Sequence, residues 1–294
     1  MEIIKKIIKS IFGKKIFEFL KNIYRNESFV NLEEIRSWSD NGTYVKCVEE
    51  AITNYKKFKK FKSDKRYQFV LEHASQEQGQ QNLEIIKKDN PELLNKKNIS
   101  TFKANDLLGS PKTYNYGKEY GNFSPTTITY IKVLSDLHSL FNLDDIKTIS
   151  EIGCGYGGQT FIIDQFTKKI QFTLFDLKPV LKLTEKYLDS FNLNGSFKIK
   201  TLNEEDYNSE YDLVISNYAF SELPKKTQLI YLEKVLSKSR RGYLIMNSGS
   251  PYKKNHDSSQ LEYDQIIKHL PKCRVLPEEP LTAKDNYLLV WGDS

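Results

Sequence analysis

The 294-residue chain has 28% charged and 39% hydrophobic residues, ordinary values for a soluble globular protein with one large domain or a domain plus an extension. Its three cysteines, Cys47, Cys154 and Cys273, are far apart and odd in number, which excludes a disulfide framework or a cysteine metal site and points to a reducing cytoplasm. No apolar run approaches the roughly 20 residues a membrane span needs, and the N-terminus lacks the unbroken apolar core and small-residue cleavage site of a signal peptide.

The net charge of +6 is concentrated at one end. Residues 1–26 hold six lysines and one arginine against two glutamates, a net +5, which leaves the remaining chain at +1. In this arm Ile3, Ile4, Ile7, Ile8, Ile11, Phe12, Ile16, Phe19, Leu20 and Ile23 recur at helical steps, with lysines over much of the rest. Such a helix can lie peripherally on an anionic membrane surface, or dock on its own domain or a second subunit.

Residues 27–105 read as helical and connective. Thr43 opens a predicted helix with Tyr44, Val48, Ala51, Ile52 and Tyr55 on one side. Lysines then alternate with aromatics in "YKKFKKFKSDKRYQF". Phe58 and Phe61 stand at helical spacing, so the expected arrangement is a buried stripe under a solvated lysine face. No nucleic-acid partner is expected, because acidic residues elsewhere cancel any broad basic field. His73, His138 and His269 fall on predicted helices without supporting context.

A Gly-, Pro- and Tyr-rich loop over 109–130 ends in a helix start, with Ser124 as cap, Pro125 at the first position, and Ile128, Ile131, Leu134, Leu137 and Leu140 inward. From residue 146 strands alternate with helices: "IKTISEIG", a helix from Gly157, "QFTLFD", a helix from Pro179, "FKIKTL", "YDLVISN", and a helix from Pro224 with Leu229, Leu232, Val235 and Leu236 on one side. "GYLIMN", a helix near 259–270, "CRVLPE" and "NYLLVWG" follow. Alternation implies a parallel sheet covered on both faces. The connector "EPLTAKD" is too short for a helical crossover, so the last two strands should pair antiparallel.

"ISEIGCGYGGQT", residues 149–160, places Gly153, Gly155 and Gly157 behind a strand, and Gly158 also makes it G-x-G-x-x-G. Such a loop at the carboxyl end of a first strand can hold a dinucleotide or S-adenosylmethionine. Both expect an acid on the next strand for ribose hydroxyls, and Asp176 supplies it. Glu151 favours the second ligand. A carboxylate gains nothing from a pyrophosphate, whereas S-adenosylmethionine carries an ammonium and a sulfonium.

The pattern acid-x-Gly-x-Gly-x-Gly, the ordered blocks "TLFDL", "YDLVISNYAFSEL" and "YLEKVLSKSRRGYLIMN", and the upstream "GSP…SPTTITY" together resemble the bacterial sugar O-methyltransferase family. The resemblance covers roughly residues 105–292. It implies a Rossmann-like class I methyltransferase fold: an α/β domain over 106–294 with a mostly parallel seven-stranded sheet and an antiparallel last strand. Residues 1–104 lie outside its specific part, and residues 1–105 are expected to form a helical N-terminal extension. It implies S-adenosylmethionine as cofactor and, as substrate, a sugar or glycan precursor in surface polysaccharide synthesis. Glu151, Gly153, Gly155 and Gly157 would then face the methionine part, with Gln159 opening the helix behind them. Asp176 would hold the ribose, Leu177 and Asn203 the adenine, and Asn217 and Tyr218 would lie beside the methyl group. Tyr116 and Ser124 are substrate-side candidates on a segment that closes over the site.

"SNYA" after the fourth predicted strand, in place of Asn-Pro-Pro-Tyr, favours an oxygen acceptor over an exocyclic amine. A sugar hydroxyl needs a general base. Glu222, just beyond that strand, and His256, beside Asp257, are the two candidates. "NEED" at 203–206 is the only dense acidic group and bounds a loop, so no metal is expected. The rival readings are a nicotinamide-dependent oxidoreductase on the same loop, and a cofactor-binding partner in glycan assembly without turnover.

Overall fold

In the computed structural model, residues 42–202, 210–247, 260–270 and 272–292 are described. The amphipathic arm, Asn203, the "NEED" group and His256 lie outside the described residues.

Apolar runs rich in β-branched and aromatic residues build one seven-stranded sheet. Its strands are β1 (Thr148–Ile152), β2 (Gln171–Phe175), β3 (Ser196–Lys200), β4 (Tyr211–Asn217), β5 (Ser239–Met246), β6 (Arg274–Pro277) and β7 (Tyr287–Trp291). The order is β3-β2-β1-β4-β5-β7-β6. The first five strands are mutually parallel, and β7 runs antiparallel to both β5 and β6. This is the class I methyltransferase arrangement expected from the sequence. Direction reverses beside β1, between β2 and β4, so the carboxyl ends of β1, β2 and β4 open on the crevice where such sheets take ligands.

The helices that matter to the site are α1 (Gly42–Thr53), α2 (Gln76–Asp89), α3 (Pro125–Leu140), α4 (Gly158–Phe166), α5 (Lys178–Leu188) and α6 (Lys225–Lys234). Ser124 caps α3 by accepting from Thr127 N–H at 3.1 Å, with Pro125 in the first turn. Ser75 and Gln78 form a capping box on α2. One buried cluster runs without a break from Tyr44, Val48 and Phe61 of the extension to Leu134, Ile149, Phe161 and Leu183. The other face of the sheet has its own cluster, with Phe220, Leu232, Leu244 and Trp291.

Several expected elements differ in detail. Asn54 is extended and accepts from the N–H groups of Lys56 and Lys57, so it ends α1 and starts a new short helix. Tyr55 consequently leaves the α1 stripe and is 64% exposed. Phe58 and Phe61 are buried beneath exposed Lys56, Lys57, Lys59 and Lys60, but Lys62 is itself fully buried. On α6 the inward residues are Gln228, Tyr231 and Leu232, and Leu229, one step around the helix, faces solvent. The 109–130 loop contains a two-residue ladder, Tyr114–Asn115 against Asn122–Phe123. His73 lies in a non-helical stretch rather than on a helix.

The extension and the sheet meet at Asn105, which is fully buried. Its Nδ2 donates to Thr127 Oγ1 at 2.7 Å and to the Tyr156 hydroxyl at 3.1 Å. Its Oδ1 accepts from the Tyr187 hydroxyl at 2.9 Å, and its backbone carbonyl accepts from Lys62 Nζ at 2.6 Å. Asn105→Ala removes the side-chain bonds to Thr127, Tyr156 and Tyr187 and keeps the carbonyl for Lys62, and the expected cost is about 2–4 kcal/mol of stability. The midpoint of urea unfolding reads it; an unchanged midpoint would show that the contacts contribute nothing.

Candidate active site

The loop between β1 and α4 is built on three left-handed glycines, Gly153, Gly155 and Gly157. At Gly153 (φ +75°) a side chain is excluded twice, by the backbone and by Ala219, whose Cβ stands 2.1 Å from where a Cβ would be. The turn after β4 therefore packs directly on the first glycine. Gly157 (φ +88°) is the residue before α4 and turns the chain into that helix. Tyr156, between the glycines, points inward and is fully buried in a ring cluster with Tyr130, Tyr187 and Phe61.

Glu151 sits beneath this loop, 4% exposed, and accepts from Thr160 Oγ1 at 2.5 Å. Burial pushes its carboxyl up to about 8, against the pull of the Thr160 bond and with Asp176 adding to the rise. The expectation of a standing anion is thereby corrected: without a ligand the group is mainly neutral at pH 7, and a nearby cation would draw its proton off. Asp176, at the carboxyl end of β2, accepts from Gly155 N–H at 2.9 Å and Leu177 N–H at 2.7 Å. It is half-buried, as is Leu177. A carboxylate at this edge can also accept from a diol.

Gln159 opens α4 and donates to Tyr130 O at 3.1 Å, while its Oε1 accepts from Asn217 Nδ2 at 3.1 Å. Asn217 Oδ1 is buried without a hydrogen-bond partner, an acceptor left at the end of β4. Tyr218 follows with φ +67°, a backbone state uncommon for a residue with a side chain. Its hydroxyl donates to Glu278 and lies 3.2 Å from Thr282 Oγ1, both at the β6–β7 connection. Burial, with Glu278 beside it, pushes the phenol well above its usual range.

Glu222 is half-buried on the turn after β4. Its Oε1 accepts from Asn247 Nδ2 at 2.6 Å, and Asn247, just past β5, also engages Ser221 Oγ at 2.7 Å. Burial raises the carboxyl above its usual value, partly offset by the Asn247 bond. It is thus held, oriented and made more basic at the same sheet edge as the glycine loop.

Ser124 and Tyr116 are placed differently from the expectation of substrate contact. The Ser124 hydroxyl is buried, donating to Asp106 Oδ1 at 2.7 Å while capping α3. Tyr116 is buried against Gly79 of α2 and the start of α3. Sequence reading missed Asn247, Glu278 and Thr282. Asn247 was open to detection, since it ends a predicted strand at the ligand edge; Glu278 and Thr282 sit on a connector whose fold-back onto Tyr218 has no sequence signal. Among the described residues no group of three or more His, Cys, Asp or Glu side chains is placed to hold a metal.

No protein-family model and no curated protein matches the chain. Several solved structures have a similar backbone. A SAM-dependent methyltransferase from Aquifex aeolicus aligns with 55% of this chain and 87% of its own, at 15% identity and TM-score 0.42. Magnesium protoporphyrin IX methyltransferase from Synechocystis PCC 6803, with bound SAH, aligns with 68% of this chain and 95% of its own, at 14% identity and TM-score 0.41. Human N-acetylserotonin methyltransferase aligns with 54% of this chain at 12% identity and TM-score 0.40, and the match spans only 52% of the human protein.

The Glu151 environment is testable without any ligand. A carboxyl raised from 4.5 to about 8 contributes its full stability below pH 4.5 and loses it as pH climbs through about 8. Glu151→Gln keeps an acceptor for Thr160 and removes that loss. The melting temperature of the ligand-free variant should exceed wild type by a margin that widens from pH 4.5 to 8.5; a constant margin would show that the carboxyl is not buried in this way.

Proposed function

We propose that this chain transfers a methyl group from S-adenosylmethionine to a hydroxyl of a sugar or glycan precursor. The observation that carries the transfer is a single sheet edge that holds both halves of the chemistry. The glycine loop, Glu151 and Asp176 stand on β1 and β2, and the raised carboxyl of Glu222 stands just past β4. The residues fit the cofactor. Asp176 accepts at the ribose position, and Asn217 Oδ1 is a buried acceptor without a protein partner. The sugar acceptor and its polysaccharide setting are supported by the ordered sequence blocks, and the cytoplasmic location by the cysteine usage. Among the described residues no helix is long and apolar enough to cross a membrane. Peripheral attachment through residues 1–26 belongs to the same reading, with deletion of the arm and vesicle sedimentation as its test.

When bound, S-adenosylmethionine supplies a methyl group on a sulfonium that is displaced in line at carbon. The protein's part is to align the acceptor oxygen and take its proton. Glu222 accepts that proton on its carboxylate, and Asn247, hydrogen-bonded to Ser221, fixes the carboxylate's direction. Tyr218, tied to Glu278, closes the side of the crevice next to β5 and β7.

Glu222→Gln should lower kcat about 10²–10⁴-fold with labelled S-adenosylmethionine and a panel of sugars and sugar nucleotides, while S-adenosylhomocysteine binding stays intact. Full activity in this variant together with loss in His256→Gln would transfer the base to His256. A thermal shift with S-adenosylhomocysteine and none with NAD or NADP is expected; stabilisation by NAD alone would overturn the reading.

A further inference from the structure

Residues 69–75, between the short helix Lys65–Gln68 and α2, adopt neither helix nor strand and lie against the glycine loop. Leu71 Cδ1 is 2.9 Å from where a Cβ on Gly155 would stand. Glu72 follows. Its carboxylate has Thr126 and the Tyr156 hydroxyl beside it, yet Oε1 is buried and has no hydrogen-bond partner.

The surrounding charged groups are otherwise accounted for. Asp106 accepts from Ser124 N–H and Ser124 Oγ, and from Thr127 Oγ1, each at 2.7 Å. Lys62 Nζ donates to Asn105 O and lies 3.3 Å from the Tyr187 hydroxyl, with its charge 4.0 Å from the centre of the Tyr156 ring. Asp106 and Lys62 thus have their partners, and the Glu72 oxygen does not. A buried carboxylate oxygen without a donor is costly. The group that relieves it is a cation with N–H donors, arriving beside Tyr156 of the glycine loop.

We propose that Glu72, from the N-terminal extension, binds the ammonium of the methionyl arm of S-adenosylmethionine. The assignment rests on the methyltransferase reading and deepens it, because it makes the extension part of the cofactor site. Burial pushes the Glu72 carboxyl up, Lys62 pulls it down, and Asp106 adds to the rise. An arriving ammonium adds to the pull of Lys62 and favours the charged form.

The test is isothermal titration of wild type and Glu72→Gln with two nucleosides. S-adenosylhomocysteine carries the ammonium without the sulfonium; 5′-methylthioadenosine carries neither. The expected result is a loss of about tenfold or more in affinity for S-adenosylhomocysteine, the loss of one charge-assisted bond, with 5′-methylthioadenosine bound as tightly as by wild type. The ligand-free variant should melt no lower than wild type, since it no longer buries the carboxyl. Equal weakening of both ligands would make Glu72 a structural residue and overturn the assignment, as would unchanged affinity for both. If wild type binds neither nucleoside, the methyltransferase reading falls and the assignment with it, a result distinct from the two in which wild type binds both.

Discussion

The site depends on the buried junction around Asn105. The glycine loop has a large side chain in its middle, Tyr156, which must go somewhere; it goes inward and ends on Asn105 Nδ2. Tyr187 of α5 reaches the same asparagine from another side, and Lys62 of the extension reaches its carbonyl. A glycine-rich loop with positive φ angles is entropically costly to order. Here the ordering comes from a side chain anchored in a polar network whose members, Lys62, Asn105, Thr127, Tyr156 and Tyr187, come from five separated stretches of chain. The extension is therefore not an appendage to the sheet. Without it the Tyr156 and Tyr187 hydroxyls would both lose their Asn105 partner in an apolar core.

A second consequence concerns charge. Glu72, Glu151 and Glu222 are each held above the ordinary carboxylate range, and burial leads the causes in every case. A crevice whose acids are raised by desolvation favours any ligand that carries positive charge into it, since such a ligand lowers the free energy of the ionised acids. A diphosphate would have the opposite effect and would keep them protonated. The geometry alone, a strand, a glycine loop and an acid on the next strand, is shared by both ligand classes. The electrostatics separate them.

The strand pattern was legible in the chain because it is local. β4 coincides with "YDLVISN" to the residue, and Gly153, Gly155 and Asp176 stand where their spacing put them. What failed to read is what depends on distant partners. Lys62 sits in a run of exposed lysines and nothing in its neighbours marks it; distant partners, Asn105 43 residues on, Tyr187 125 residues on and the Tyr156 ring, make its burial tolerable. Tyr55 was misplaced because Asn54 competes with the helix for backbone N–H groups, a local effect visible only once the cap forms. Glu151 was correctly located at the loop, but its protonation follows from burial, which its sequence position does not disclose.

The two sides of the crevice are closed by different kinds of structure. On the glycine-loop side, Leu71 and Glu72 reach the loop from a stretch anchored at both ends, by the Arg66–Glu50 ion pair at 2.8 Å and by the capping box of α2. On the β5 side, Tyr218 leaves β4 with a positive φ and its hydroxyl is held by Glu278, which also accepts from Thr282 N–H at 2.9 Å. A left-handed tyrosine costs on the order of 1–3 kcal/mol and persists only where surrounding contacts over-determine it. The Tyr218 backbone N–H donates to Ile245 O of β5 at 2.9 Å and its carbonyl accepts from Ser221, while the β6–β7 connection holds its hydroxyl. Because β4 also carries Asn217 and leads into Glu222, the connector meets the residues that follow β4 without touching a residue of the glycine loop. The antiparallel seventh strand is what brings the connector to this edge: with a helical crossover after β6, residues 278–286 would leave for the opposite end of the sheet and Tyr218 would have no partner there.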